Sequence, residues 1–378
     1  MENIELIATS TFGLEALVKR ELLNLGYSDL SVENGKVTFK ADISAIPTAN
    51  LWLRTADRVL LKMGEFTSLS FEELFENTKS LPWDEWITED GKFTVIGKSV
   101  KSKLHSVPNC QAIVKKAVVE RMKQKYKTDW FNETGPEYTI QVSILKDIAT
   151  LTIDTSGTGL HKRGYREGAV EAPLKETLAA ALVQLSFWNK ERVLLDPFCG
   201  SGTIPIEAAM IGRNIAPGLN RTFASEEWPV IGRDAWKKAR VAAYKSIDLE
   251  TDLHIFGSDI DSRAVQTAQN NAARCGVDDC IIFETKPVSR VELASDYGIA
   301  ICNPPYGERL GEKSEAESIY KALGELFSNR QTWSVYVLTS NEDFEEFYGR
   351  TADRKRKLYN GRIKVDYYQF YGEKPLHE

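Results

Sequence analysis

The chain has 378 residues, more than one hydrophobic core comfortably serves, so two or three domains are expected. Its 42% hydrophobic and 27% charged content is ordinary for a globular protein, and a net charge of −6 excludes a histone-like polycation, so nucleic-acid binding has to come from local basic surfaces. Five cysteines without a C-x-x-C pair and four scattered histidines argue against disulfides, a zinc ribbon or any metal centre; the acidic start Met1-Glu2-Asn3-Ile4-Glu5 and the lack of a membrane-length apolar run point to a soluble cytoplasmic protein with no membrane partner.

Ile4 to Ala8 reads as a strand and Thr11 to Leu25 as a helix, with Leu14, Leu17, Val18 and Leu22 on one face and Gly26 as its stop. Val32 to Phe39 reads as a hairpin around Asn34-Gly35, and Ile43 to Trp52 is again helical. The order β-α-β-β-α suggests a ferredoxin-like unit over residues 1–56. A second α+β block, 57–156, holds strand Val59 to Phe66, helix Phe71 to Leu81, strand Lys92 to Gly97, helix Gln111 to Tyr126, and paired strands Thr139 to Leu145 and Ile148 to Asp154. Lys98, Lys101, Lys103, Lys115, Lys116, Arg121, Lys123, Lys125 and Lys127 cluster in it, with Glu120 the only nearby acid. Such a run is either a solvated helix face or a phosphate-contacting surface. Gly157-Thr158-Gly159 opens a linker, 157–170, in which Arg163 and Arg166 either contact phosphate or decorate the linker.

The β-rich run Arg192-Val193-Leu194-Leu195 leads into Asp196-Pro197-Phe198-Cys199-Gly200-Ser201-Gly202-Thr203, and Ile204 to Ile211 reads as helix. A glycine pair at a strand-to-helix turn lets backbone approach a cofactor closely. Pro205 stands where the third glycine of a dinucleotide fingerprint belongs, and no P-loop sequence occurs. Asp196 would repel a pyrophosphate and suits a ligand with a cationic amino-acid end. Amphipathic material from Pro217 to Ile247, with Trp228 and Trp236, reads as an insertion. A second strand, Leu253 to Ser258, ends in Asp259-Ile260-Asp261 before the helix Arg263 to Arg274. A carboxylate there serves either the ribose hydroxyls of a nucleoside cofactor or the helix N-cap.

The apolar strand Gly298 to Cys302 delivers Asn303-Pro304-Pro305-Tyr306 to a strand C-terminus, where open α/β sheets bind ligands. An exocyclic base amino group is a poor nucleophile because its lone pair is delocalised into the ring. The Asn303 amide oxygen and a carbonyl stiffened by consecutive prolines can each accept a hydrogen bond from it, favouring a pyramidal nitrogen. Tyr306 offers a face on which an extruded base can stack. Cys302, inside an apolar strand, reads as a buried thiol rather than a nucleophile, and Cys199 as packing. Tyr367 to Tyr371 reads as the last, buried strand of the sheet, with the basic run Arg354 to Lys357 beside it.

The strings DPFCGSGTIPIE (Asp196 to Glu207), NPPYGERL (Asn303 to Leu310), HKRGYR (His161 to Arg166) and PLKETLAAAL (Pro173 to Leu182) resemble the THUMP-containing, S-adenosylmethionine-dependent RNA methyltransferases over nearly the whole chain. The resemblance is greatest to the enzymes that methylate guanine N2 of large-subunit ribosomal RNA. Older naming grouped such chains as N6-adenine-specific DNA methylases on the NPPY motif. The resemblance implies an α/β fold with a THUMP-like RNA-binding domain at 57–156 and a Rossmann-type, mostly parallel seven-stranded methyltransferase domain at 171–378. It implies S-adenosyl-L-methionine as cofactor, guanine N2 of 23S ribosomal RNA in the large-subunit precursor as substrate, and a monomer or weak dimer. Catalysis then falls to Asn303, Pro304, Pro305 and Tyr306. Cofactor binding falls to Asp196, Phe198, Gly200, Gly202, Thr203, Asp259, Asp261 and Thr177, and RNA binding to Lys98, Lys101, Lys103, Lys115, Arg163, Arg166 and Arg309. One departure is that Pro287 follows the third strand where the family supplies an acid to the cofactor's adenine; Glu284 or a backbone carbonyl is the substitute. The alternatives are adenine-N6 methylation of DNA or RNA, and a non-catalytic RNA-binding ribosome-assembly factor. A fragment starting near Val170 is expected to fold and bind the cofactor.

Overall fold

A computed structural model of the chain describes residues 3–166, 174–293, 295–307 and 313–375. Two seven-stranded sheets organise it. The first is built from β1 (Ile4–Ser10), β2 (Leu30–Glu33), β3 (Lys36–Ala41), β4 (Ala56–Thr67), β5 (Lys92–Val100), β6 (Glu137–Leu145) and β7 (Ile148–Asp154). Its helices are α1 (Glu15–Asn24), α2 (Ala45–Trp52), α3 (Phe71–Ser80) and α4 (Val107–Tyr126). The spatial order β2-β3-β1-β4-β7-β6-β5 makes the two small α+β blocks one continuous sheet. The seam is β4, which pairs Leu61 with Leu6 of β1 on one side and with Ile153 of β7 on the other. Helix α4 begins at Val107, ahead of the expected Gln111, because Pro108 occupies the first turn, where a missing N–H costs nothing.

The second sheet follows α5 (Glu176–Leu185). It comprises β8 (Leu194–Asp196), β9 (Ile255–Asp259), β10 (Ile281–Thr285), β11 (Ile299–Cys302), β12 (Ser334–Thr339), β13 (Arg354–Asn360) and β14 (Ile363–Phe370), with α6 (Thr203–Gly212), α7 (Arg233–Lys245), α8 (Ser262–Cys275), α9 (Lys313–Phe327) and α10 (Phe344–Tyr348) between them. The order is β10-β9-β8-β11-β12-β14-β13. Strands β8 to β12 pair in parallel, and β14 runs antiparallel to both its neighbours. From β8 the chain steps outward to β10 and then returns to the other side of β8 as β11. The strand order therefore reverses between β8 and β11, which is where ligands of doubly wound sheets bind. The basic run Arg354 to Lys357 is itself the edge strand β13, joined to β14 through Asn360-Gly361 with Gly361 at φ 63°. The strand containing Tyr367 and Tyr368 is the last in the chain and is buried there, as expected, with the basic run paired beside it at the sheet edge.

The chain divides into two compact units: the first runs to Ser10 and over Val18–Leu160 and regains Arg221–Ala242 late in the sequence, and the second holds Thr11–Leu17, His161–Asn220 and the chain from Ala243 on. The middle of the expected insertion, Arg221–Ala242, is therefore part of the first unit, while its two ends belong to the second. Its anchors are apolar: Trp228 is 1% exposed and stacks on Tyr138 at 4.8 Å, while Phe223 stacks on Trp236 at 5.1 Å. The Trp228 indole N–H donates to the Glu137 carbonyl at 3.1 Å, and Ser225 Oγ donates to Thr155 O at 2.8 Å. A fragment starting near Val170 would keep this segment and lose Tyr138, leaving Trp228 without its cover. Independent folding of that fragment is thus not supported. Among the described residues no helix is long and apolar enough to cross a membrane, and no group of three or more His, Cys, Asp or Glu could hold a metal ion.

Trp228→Ala should destabilise the first unit by about 3–5 kcal/mol, the usual cost of emptying a buried tryptophan site. Urea unfolding followed by circular dichroism measures it; a loss below about 1 kcal/mol would show that the segment is not anchored there.

Candidate functional site

At the C-terminal end of β8 the chain turns through Gly200 (φ 51°) and Gly202 (φ 81°) before α6 starts. The two glycines answer different constraints. A Cβ on Gly202 would lie 2.9 Å from Ala268 Cβ and 3.0 Å from Phe283, so this glycine is required by packing against α8 and β10. A Cβ on Gly200 would meet nothing within 4 Å, so beside it the loop backbone borders open space. Asp259 closes the loop: its carboxylate accepts the Gly200 N–H at 2.9 Å and the Asp261 N–H at 3.0 Å. Each of its oxygens retains acceptor capacity. Asp261 is the N-cap of α8, accepting from Arg263 N at 2.9 Å and pairing with the Arg263 guanidinium, so its carboxylate is committed to the helix rather than to the loop. The Asn271 amide donates to Ser201 O at 3.0 Å and fixes the loop from the α8 side.

Asp196 is 1% exposed and accepts the Phe198 N–H at 3.1 Å. Burial pushes its carboxyl well above the usual carboxylate range; the Phe198 hydrogen bond pulls back and the Asp259 charge adds to the rise. Thr177 and Thr203 are buried at the first turns of α5 and α6. The segment HKRGYR runs beneath these two helices. Arg163 is 2% exposed and pairs with the fully buried Glu207 at 3.2 Å, with Tyr165 Oη donating to the same carboxylate at 3.5 Å. That burial corrects the expectation that Arg163 contacts RNA: no phosphate can reach it. Arg166 donates from Nη2 to Thr203 Oγ1 at 2.7 Å and to Leu174 O at 3.2 Å, and its Nε lies 3.4 Å from Glu176 Oε1.

At the end of β11, Asn303 is half-buried and its Oδ1 accepts the Tyr306 hydroxyl at 2.6 Å. Tyr320 of α9, fully buried, donates to the Pro305 carbonyl at 2.8 Å and sits 3.0 Å from Thr339 Oγ1. Sequence reasoning missed Tyr320, Asn271 and Glu207, because each acts across a distance in the chain that no local pattern encodes. Cys302 is fully buried, and burial, with a contribution from Asp196, holds its thiol well above its ordinary range. Burial likewise raises Cys199, so neither is a thiolate nucleophile. Glu284 pairs with Lys286 at 2.8 Å. Both line a groove of about 340 Å³ on the sheet face over Leu195, Phe256 and Ile282, and its lining includes neither Asn303 nor Gly200.

The lysines separate into two groups. Lys98, Lys101 and Lys103 are exposed at one end of β5 and in the turn after it, with Lys101 in the left-handed region at φ 51°. Lys115 lies on α4, 3.7 Å from Glu133 and over the Phe93 ring. Arg121 pairs with Asp84 at 2.6 Å, and Lys123 pairs with Glu120 and Asp129. The α4 cations therefore have more acidic neighbours than Glu120 alone, supplied from outside the helix. Arg309 and Pro173 lie outside the described residues.

Residues 163–369 match the RMKL-like methyltransferase domain, 5–60 the RlmL ferredoxin-like domain and 69–154 the THUMP domain. A protein of Bacillus subtilis provisionally named as an RNA methyltransferase, YpsC, is 55% identical over 99% of this chain and 97% of its own length. A Listeria monocytogenes protein described as a predicted N6-adenine-specific DNA methylase is 51% identical over 99% of this chain and 97% of its own, with a TM-score of 0.95. SMU.472, a methyltransferase by its description and solved in complex with S-adenosyl-L-homocysteine (SAH), is 45% identical over 99% of this chain and all of its own, with a TM-score of 0.94.

Asp196 generates a pH prediction. Its folded-state pKa is raised, so its contribution to stability is complete below the unfolded value of about 3.9 and is lost as pH rises through the folded value. Asp196→Asn should therefore melt at a higher temperature than wild type at neutral pH, with the gap narrowing on acidification. A gap independent of pH in scanning calorimetry would remove the buried-charge explanation.

Proposed function

The chain belongs to the RMKL-like methyltransferase family, and on that premise we propose that it transfers a methyl group from S-adenosyl-L-methionine to an exocyclic amino group of an RNA base, guanine N2 of 23S ribosomal RNA. When bound, the cofactor supplies a methyl group made electrophilic by its sulfonium. The residues present fit it. Open space borders Gly200, Asp259 keeps acceptor capacity for ribose hydroxyls, and the buried Asp196 shapes the loop through the Phe198 N–H.

The observation that carries the reading is the pairing of Asn303 with Tyr306. An amide oxygen accepts two hydrogen bonds, and the Tyr306 hydroxyl takes one, which holds Oδ1 in a fixed direction with its second lone pair available. A base amino group docked there donates one N–H to Asn303 and the other to the Pro304 carbonyl. Tyr320 anchors the following carbonyl, that of Pro305, and so sets the direction of the turn. The nitrogen lone pair is then turned toward the methyl donor, and the main demand on the protein is alignment rather than a strong base. RNA is favoured over DNA by the THUMP domain, and the three exposed lysines at the end of β5 offer a surface for backbone phosphates. Ribosomal RNA and guanine N2 are supported by the resemblance of the motif strings.

Asn303→Ala should lower methyl transfer to ribosomal RNA by about 100-fold, of the order seen when one aligned hydrogen-bonding group is lost from a transition state, while SAH affinity stays within a few-fold. Tyr306→Phe keeps the ring and loses the hydroxyl, so its loss should be smaller, about 10-fold. Radiolabelled methyl transfer and calorimetry separate the two effects. Half or more of wild-type turnover in Asn303→Ala, or label entering DNA rather than RNA, would contradict the reading.

A further inference from the structure

We propose that Arg166 is a cofactor-binding residue that anchors the carboxylate of the methionine end, an inference that rests on S-adenosylmethionine being the cofactor. The sheet order β9-β8-β11 sets the path. A cofactor with its ribose at Asp259, on β9, and its methyl group at Asn303, on β11, has to cross the end of β8. The groups gathered there are the first turn of α6 and the side chains of Ser201, Thr203 and Arg166. Ser201 Oγ lies 3.4 Å from Thr203 Oγ1, which in turn accepts the Arg166 Nη2–H at 2.7 Å.

The guanidinium is positioned but not exhausted. Its side chain is 15% exposed, its Nη2 is spent on Thr203 and Leu174, and its Nε faces Glu176 without a well-formed hydrogen bond. Its Nη1 donates to none of the described residues, leaving two N–H groups for an incoming acceptor. A cation beside a helix N-terminus is unfavourable in itself, since the first-turn N–H groups already carry partial positive charge. Glu176, in the first turn of α5, offsets only part of that charge. A carboxylate placed between Arg166 Nη1 and the start of α6 satisfies both, and Arg is the side chain best shaped to hold it. This gives HKRGYR two functions: Arg163 is a buried prop under α6 through Glu207, whereas Arg166 points at the ligand. An RNA phosphate is a poorer occupant of Arg166, because the guanidinium is hemmed in by Thr203, Leu174 and Glu176.

The test compares three ligands by calorimetry: SAH, decarboxylated SAH, and 5′-methylthioadenosine, which lacks the whole amino-acid end. Wild type should bind SAH about 50-fold more tightly than the decarboxylated ligand, the range expected for charge-assisted hydrogen bonds. Arg166→Gln should lose that preference, weakening SAH by a similar factor and methylthioadenosine by less than about 3-fold. Arg166→Lys, which keeps a cation, should recover part of the preference, and the wild-type comparison stands even where Arg166→Gln fails to fold. Equal wild-type affinity for the first two ligands overturns the assignment while leaving the cofactor reading intact, and so does an equal loss for all three in the folded variant. Failure of wild type to bind any of them overturns both.

Discussion

One carboxylate holds the ends of two parallel strands in a fixed relation. Asp259, at the end of β9, receives the N–H groups of Gly200 and Asp261, and through the first it sets where the loop after β8 runs. The same loop is packed from behind, because Gly202 admits Ala268 and Phe283 at distances that leave no room for a Cβ, and Asn271 holds Ser201 O. The buried Arg163–Glu207 pair fixes α6 from below. Removing one partner of such a pair leaves a charge without water, a loss of about 3–5 kcal/mol, even where the intact pair adds little net stability. The loop is thus set by rigid elements on each side, which is what a site that works by alignment needs.

The proposed reacting end is held in a similar way. Asn303 is aimed by Tyr306, and the turn beyond it is tied to α9 by Tyr320, whose own hydroxyl also reaches Thr339 on β12. Strand β11 beneath it is fully buried, with Ile299, Ala300, Ile301 and Cys302 all at 0% exposure. The strand therefore acts as a fixed post, and the Cys302 thiol belongs to the post rather than to the chemistry. An amide and a carbonyl suffice for an amino group whose proton is lost during or after transfer, whereas carbon methylation of a pyrimidine would require a thiolate that burial denies.

Much of this was legible in the sequence because the signals are local. The apolar run before NPPY, the glycine pair before a helix and the Asp-x-Asp after a strand each place a motif on its element without tertiary information. The division of labour within Asp259-Ile260-Asp261 was not legible: Asp261 takes the helix N-cap role, while Asp259 holds the loop after β8 through the Gly200 N–H. Arg163 was misjudged because its partner, Glu207, is 44 residues away. The merging of the two N-terminal blocks was hidden too, since a strand pattern such as Val59 to Phe66 does not say that both of its edges are occupied. Nor could composition reveal that the Trp228 segment, which follows β8 in sequence, folds with the first unit. Its aromatic spacing marks an apolar face, but the Tyr138 ring that covers it lies 90 residues earlier.

The product nucleoside tests the central claim most directly. Unmodified large-subunit ribosomal RNA incubated with the protein and S-adenosyl-L-methionine, then digested and resolved by mass spectrometry against methylated standards, should yield N2-methylguanosine, with none formed by Asn303→Ala. N6-methyladenosine would keep the amino-group chemistry and contradict the base assignment. A ring-carbon methyl, such as 5-methylcytidine, would contradict the whole account of how Asn303 and the Pro304 carbonyl orient an amino group.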